Sequence, residues 1–213
     1  MVQLDATVAT MRAILRLIPL LVLAGCAQSC AIGRALYLAV AHNSGAPPRA
    51  ERDRIAARES VMVRELGRAR LVVLPVAVVG RTSRYDASAA ASLADGLRAR
   101  GVPATAIATP VVLPYEPQPN ELYTFWTRFK ALGDSIHARP LNDADYVLAV
   151  DVLGAPERGA VGAVHAMAVT ANGQLAYHAA WNSHQELYQQ VKPTALNDAN
   201  RMGIADLTRP RSR

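Results

Sequence analysis

The pair Asn172-Gly173 constrains this chain more than any other feature. It stands between two apolar, β-rich runs, residues 161–170 and 174–182, and Asn-Gly suits the two-residue type I′ loop of a β-hairpin. A loop of that length sets the register. With Ala171 opposite Gln174, Val164 faces Trp181, Met167 faces His178 and Ala168 faces Tyr177. Side chains alternate across a strand, so one face carries Val164, Ala166, Ala168, Leu175, Tyr177, Ala179 and Trp181. That face is assigned to packing helices. The other carries His165, Met167, Val169, Ala176, His178, Ala180 and Asn182.

The rest of the core is read by periodicity. Leu122, Phe125, Phe129, Leu132 and Ile136 recur at helical spacing behind Asn120, a candidate N-cap, and Pro140 ends the pattern. Residues 71–80 are apolar on both parities, as in a covered central strand, with Pro75 marking a bulge or local edge. Asp86 caps a helix whose stripe is Ala90, Leu93, Ala94 and Leu97, closed by Gly101. Residues 104–113 predict a strand shortened or bent by Pro110, and residues 146–153 another, interrupted by Asp151. Thr194 is the expected cap of a last helix bearing Leu196, Ala199, Gly203 and Leu207. Ahead of these, Ile55, Met62 and Leu66 form one stripe of an amphipathic helix within residues 51–69. The order β-α-β-α-β-β-β-α predicts an α/β two-layer sandwich: a mixed sheet of about five strands, helices mainly on one face, and a C-terminal hairpin followed by a helix.

The N-terminus has a different character. Arg12 and Arg16 precede the run Leu17-Ile18-Pro19-Leu20-Leu21-Val22, which is too short to span a bilayer as a stable helix. Leu23-Ala24-Gly25-Cys26 follows it and resembles the lipobox of bacterial lipoproteins. The resemblance implies diacylglycerol on the Cys26 thiol and cleavage ahead of it, with attachment to the membrane by acyl chains. Ala27, where Asp would favour inner-membrane retention in the enterobacterial sorting rule, implies outer-membrane sorting and a periplasm-facing domain. Met11 is an alternative start to Met1. The expected organisation is a signal peptide (1–25), a lipidated tether (26–50), the amphipathic helix (51–69), an α/β domain (70–208) and a basic tail (209–213). In outline the domain is similar to the small periplasmic α/β domains of envelope-assembly and secretion-channel lipoproteins, a likeness of fold that no motif supports.

Composition narrows the function classes. The chain has 213 residues and a formal charge of +6, a modest excess whose clearest cluster, between Arg49 and Arg70, reads as a solvated helix face. An exported protein with so small an excess is not expected to bind nucleic acid. With Cys26 lipidated, Cys30 has no intramolecular partner, so the core, not a disulfide framework, must supply stability. Gly159-Ala160-Val161-Gly162 does not match a dinucleotide loop, and neither an HExxH motif nor paired zinc cysteines occur. No cofactor is expected.

Three groups of residues could carry chemistry. His165 and His178 are diagonal neighbours on one hairpin face, and Asp151 joins them if its strand is adjacent and in phase, giving a weak candidate zinc set. Ser183 and His184 lie at a strand end; because adjacent side chains diverge, Ser183 needs another base, with His137 available, and otherwise these groups cap the strand. Tyr115, Tyr123 and Trp126 stand beside rigid prolines, with Trp126 off the helical stripe and free to contact protein or glycan; Trp181 is a further partner-binding candidate. The resulting expectation is a lipid-anchored, non-catalytic binding domain, an accessory subunit of an envelope complex with an envelope-protein or cell-wall partner. The alternatives are a small envelope hydrolase using the Asp151, His165 and His178 or the Ser183 and His184 groups, and a carrier of a small apolar ligand.

Overall fold

Two long segments, residues 146–155 and 160–170, each apolar but for one or two polar residues, become the longest strands of the sheet. In the computed structural model, which describes residues 46–79, 83–114, 121–141 and 143–209, β5 (Tyr146–Ala155) pairs antiparallel with β6 (Ala160–Thr170), and β6 with β7 (Leu175–Asn182). Before them come α1 (Arg49–Glu65), β1 (Leu71–Val73), β2 (Val76–Val79), β3 (Arg84–Asp86), α2 (Ala87–Arg98), β4 (Ala104–Ala106) and α3 (Glu121–Ala138). After them come α4 (Glu186–Val191) and α5 (Leu196–Leu207).

Among the described residues seven strands are present, yet they fill five lanes. Strands β1 and β2 both run parallel to β5 and are halves of one strand: Val73 pairs with Leu148 but Ala77 with Asp151, a slip of one residue at Leu74-Pro75. Proline has no N–H to give a ladder, so the break falls where Pro75 predicts it. On the outer side β4 pairs parallel with β1 and β3 antiparallel with β2. The mixed α/β sandwich read from the sequence is the observed class. The strand expected over residues 104–113 stops at Ala106, because β1 itself ends at Val73; the Ile107 N–H donates to the Val73 carbonyl (3.1 Å) and the ladder has no further partner.

The hairpin register is the predicted one at Val164–Trp181, Met167–His178 and Ala168–Tyr177. Its turn is not. Among the described residues Lys192 is the one non-glycine with positive φ, so Asn172 cannot occupy a type I′ turn, which needs positive φ at both centres. Instead the loop has three residues. The Gly173 N–H bonds the Thr170 carbonyl (2.9 Å), Thr170 N–H bonds the Gln174 carbonyl (2.9 Å), and Gly173 sits left-handed at φ 81°. That turn shifts Val169 onto Leu175, and a bulge between Ala168 and Val169 restores the expected pairing. Two offsets of opposite sense cancel. Ala176, expected on the histidine face, is consequently buried in the opposite core.

Both faces of the sheet are covered. On one, Leu148, Val150, Val152, Val164, Ala166 and Tyr177 meet Leu93, Ala94 and Leu97 of α2 and Ala199, Met202 and Leu207 of α5. Asp86 caps α2 as expected, accepting the Ala89 N–H at 2.8 Å. The start of α5 is a correction. Thr194 does not cap it; Ala195 is the N-cap residue, and the carboxylate of Asp198 turns back to accept from Thr194 N–H (2.8 Å) and Ala195 N–H (3.0 Å). Helix α1 covers the outer edge of β7, burying Ile55 and Met62, while the Arg58 Nε donates to the Leu175 carbonyl (2.5 Å). That contact closes an otherwise open strand edge. The opposite face belongs to α3. No described helix is long and apolar enough to cross a membrane.

Candidate functional site

The face under α3 gathers the polar candidates. Phe125, Phe129, Leu132 and Ile136 are buried there as their spacing predicts. Trp126 is a correction: it is 7% exposed rather than a surface contact residue. Position 126 lies three before Phe129 on the helix surface, so the apolar stripe is wider than the narrow series and includes it. Its ring lies 5.1 Å from Phe125 and 5.9 Å from Phe129. Close approach of α3 to the hairpin depends on glycine at both contact points. A Cβ on Gly133 would lie 2.6 Å from the Gly173 carbonyl oxygen.

Alternation along β5 puts Asp151 on this face, in register with His165 on β6. Asp151 does not meet the histidines as a ligand set. Its two carboxylate oxygens accept from Arg128 of α3, Nε to Oδ2 at 2.5 Å and Nη2 to Oδ1 at 2.9 Å, and both residues are 1% exposed. Nη1 of Arg128 also donates to the carbonyls of Leu113 (3.2 Å) and Pro114 (3.1 Å). Burial opposes the Arg128 charge, but the hydrogen bonds and charge of Asp151, helped by the Tyr85 hydroxyl, outweigh it and hold the guanidinium above the ordinary arginine range. This forked, fully buried pair is the main feature the sequence reading missed. A signal was present: Asp151 interrupts an apolar strand, and Arg128, three after Phe125 and four before Leu132, interrupts an apolar helix face.

The histidines lie among aromatic rings. His165, 1% exposed, meets Phe125 edge-on at 5.1 Å. His178 on β7 lies 5.0 Å from Trp126, 6.0 Å from Phe125 and 6.1 Å from Phe129. Its Nδ1 is 3.9 Å from Oε2 of Glu59 on α1. Burial pushes the His178 pKa below the ordinary histidine value, and the Glu59 charge offsets part of that. Among the described residues no three His, Cys, Asp or Glu side chains converge as a metal site, and the guanidinium already occupies Asp151. The Asp151, His165 and His178 set is therefore an anchored sheet face, not a zinc geometry.

Ser183 and His184 are exposed and order the turn into α4. The Ser183 carbonyl accepts from the Gln189 amide, the His184 N–H bonds Asn182 Oδ1 (3.0 Å), and Gln185 Oε1 accepts the Asn182 N–H (2.9 Å). His137 cannot serve Ser183 as a base. Its Nδ1 contacts the Asn172 carbonyl (3.1 Å) at the hairpin tip, the opposite end of β7, roughly 25 Å away at the rise of a strand. The partner-binding candidates separate. Trp181 is 5% exposed, packed in the α2 and α5 core with one edge lining a surface groove, Tyr123 is half-buried, and Tyr115 lies outside the described residues. Cys26 and the rest of the leader also lie outside them.

Among the surface grooves, one of about 500 Å³ lies between Trp181, Gln185 and Gln190 and the end of α5 at Asp206. A polar one of about 540 Å³ at the hairpin end is lined by Glu65, Arg68, Asp145, Tyr146, Thr170 and Asn172. The Tyr146 hydroxyl there is raised above its ordinary pKa by burial and then by the Glu65 and Asp145 carboxylates. A more apolar one of about 510 Å³ lies between Ile107, Pro110 and Val112 and the end of α3 at Ile136.

Fold and site together define an α/β sandwich in which Asp151 is paired with Arg128, His165 is buried, and Ser183 and His184 are exposed. No protein-family model matches the chain, and no curated protein matches it. Among solved structures it is similar to the PelC dodecamer of Paraburkholderia phytofirmans, with 17% identity over 67% of this chain and 89% of that one, at a TM-score of 0.34.

Proposed function

We propose that this chain is a lipid-anchored cell-envelope protein whose α/β domain acts by binding, as an accessory subunit of an envelope complex. The observation that carries the reading is the ordered series Arg12, Arg16, the apolar run and Leu23-Ala24-Gly25-Cys26 ahead of the domain. Acyl chains on Cys26 supply attachment, each buried methylene contributing about 0.8 kcal/mol. With Ala27 next to the anchor, the proposed location is the periplasmic face of the outer membrane. The side-chain geometry supports a binding role, because Asp151 is neutralised by Arg128 and His165 is buried in the core. The surface grooves, not the histidine face, are where an envelope-protein or cell-wall partner would sit.

The test is a crosslinking pull-down from membranes with intact-mass measurement, comparing wild type with Cys26→Ser. The expected result is an acylated chain beginning at Cys26 that brings down a defined envelope complex, which the variant loses. An unmodified chain starting elsewhere overturns the anchor. Turnover of a wall substrate that is abolished by Ser183→Ala or His165→Ala overturns the binding role.

A further inference from the structure

The basic cluster between Arg49 and Arg70, which reads in the sequence as a solvated helix face, divides once its contacts are known. Arg54 and Arg58 are held by Glu51, Arg68 by Glu65, and Arg70 by Asp143 and Asp145. The remaining Arg49, Arg52 and Arg64 are exposed and form no ion pair with any described residue. At 3.6 residues per turn these three fall within about 120° of one another on α1, on the side away from the buried Ile55 and Met62. Only the short side chains of Ala56, Ala57 and Ser60 lie exposed between them, and Asp53 is the one exposed acid on that side. Arg49 and Arg52 stand in the first turn of α1, where the positive end of the helix dipole disfavours a cation. Helix stability therefore does not account for them.

We propose that the outward side of α1 is a docking face for anionic phospholipid headgroups, engaged by Arg49, Arg52 and Arg64. The inference rests on the lipid anchor of the preceding reading and deepens it, because it says which surface of the domain meets the membrane. The three guanidinium groups have no carboxylate to give up, and each presents a planar fork that bonds phosphate oxygens in pairs. A few exposed charges are too strongly screened to hold a protein on a surface by themselves. Beside an acyl chain they act as the second attachment signal. Twenty-two residues separate Cys26 from Arg49, and a chain of that length reaches at most about 75 Å, so the anchor keeps the basic face within range of the headgroups.

The test is arginine labelling with phenylglyoxal, read residue by residue by mass spectrometry, on the chain purified from membranes and reconstituted in vesicles of phosphatidylcholine alone or mixed with phosphatidylglycerol. Labelling of Arg49, Arg52 and Arg64 is expected to slow about fivefold or more in the mixed vesicles, the equivalent of about 1 kcal/mol for a basic residue at an anionic surface. Salt at about 1 M removes the protection, while Arg100 and Arg139, exposed elsewhere on the domain, label equally in both vesicles. Arg52→Glu, a surface exchange that leaves the fold intact, is expected to abolish the protection of Arg49 and Arg64. Equal labelling of the three arginines in the two vesicle types, or protection that extends to Arg100 and Arg139, overturns the docking face and leaves the anchor standing. Protection by soluble polyphosphate that matches that of the mixed vesicles overturns the lipid assignment. A chain that does not stay with phosphatidylcholine vesicles overturns the anchor; the docking face then stands only if mixed vesicles still bind the chain and protect the three arginines.

Discussion

The two faces of the sheet are packed on different principles. Beneath α2 and α5 the core is largely aliphatic, with Tyr177 and Trp181 on its hairpin side and no buried ion pair among the described residues, and it closes by shape: Leu93, Leu97 and Met202 meet Val150, Val152 and Val164, and Gly96 lets Ile204 come close. Beneath α3 the core is aromatic and polar, with a fully buried ion pair, two imidazoles and two glycines that bring helix and hairpin backbones together. An aliphatic face tolerates exchange of similar volumes, whereas a buried charge tolerates no loss of its partner. The α3 face is thus the specific one and the α2/α5 face the permissive one.

The largest effect expected from this difference is at Asp151. Asp151→Ala strands the Arg128 cation and should cost about 3–5 kcal/mol in urea unfolding, whereas the double exchange Arg128→Met with Asp151→Leu should recover most of that. A single-variant cost below about 1 kcal/mol would break the comparison, because surface substitutions reach that range. Leu93→Ala, on the permissive face, is expected to cost about 3 kcal/mol by cavity formation, and Leu93→Met under about 1.5 kcal/mol. Differential scanning calorimetry of the pair sharpens the contrast. Gly133→Ala comes next, since its Cβ would meet the Gly173 carbonyl; a loss of about 1–3 kcal/mol is expected from overpacking, visible as faster exchange of the β6 and β7 amides near the turn.

The smallest effect lies at the solvent rim of the aliphatic face. The Thr194 N–H above all, then Arg201, holds Asp198 down from its ordinary 3.8 to about 2. A carboxylate with a depressed folded pKa stabilises above its unfolded value, and that stability is lost as pH falls from about 4 to about 2. Asp198→Asn should therefore cost about 1 kcal/mol at neutral pH, as for loss of a helix cap, and the gap to wild type should shrink below about pH 4. Acid unfolding curves of the two proteins measure it.

The largest departure of structure from prediction, at Asp151, comes from a partner distant in sequence, whereas the departures at Trp126, Asn172 and Thr194 are local. The α3 stripe, the Asp86 cap and the hairpin pairing rest on neighbours within one element or one turn, and each was legible. Trp126 was missed because the stripe was drawn too narrow. The Arg128–Asp151 pair was not legible as a pair, although each residue was visible as a charge on an apolar face. Joining them needs the crossing of α3 over β5 and β6, which periodicity does not supply. Pairing Ser183 with His137 fails because the length of β7 lies between them.

What the sequence determined by itself, then, is what short-range chemistry controls: helical and strand periods, the capping carboxylate of Asp86 and the break at Pro75. The tertiary structure decided how the lanes of the sheet share an edge, which turn closes the hairpin, and that the one acidic residue in a core strand faces an arginine rather than a metal or a substrate. The first and last of those outcomes depend on contacts between residues tens of positions apart, and the turn on bonds within residues 170–174. Their energies come from desolvation and close packing, which exist only once helix and sheet have met.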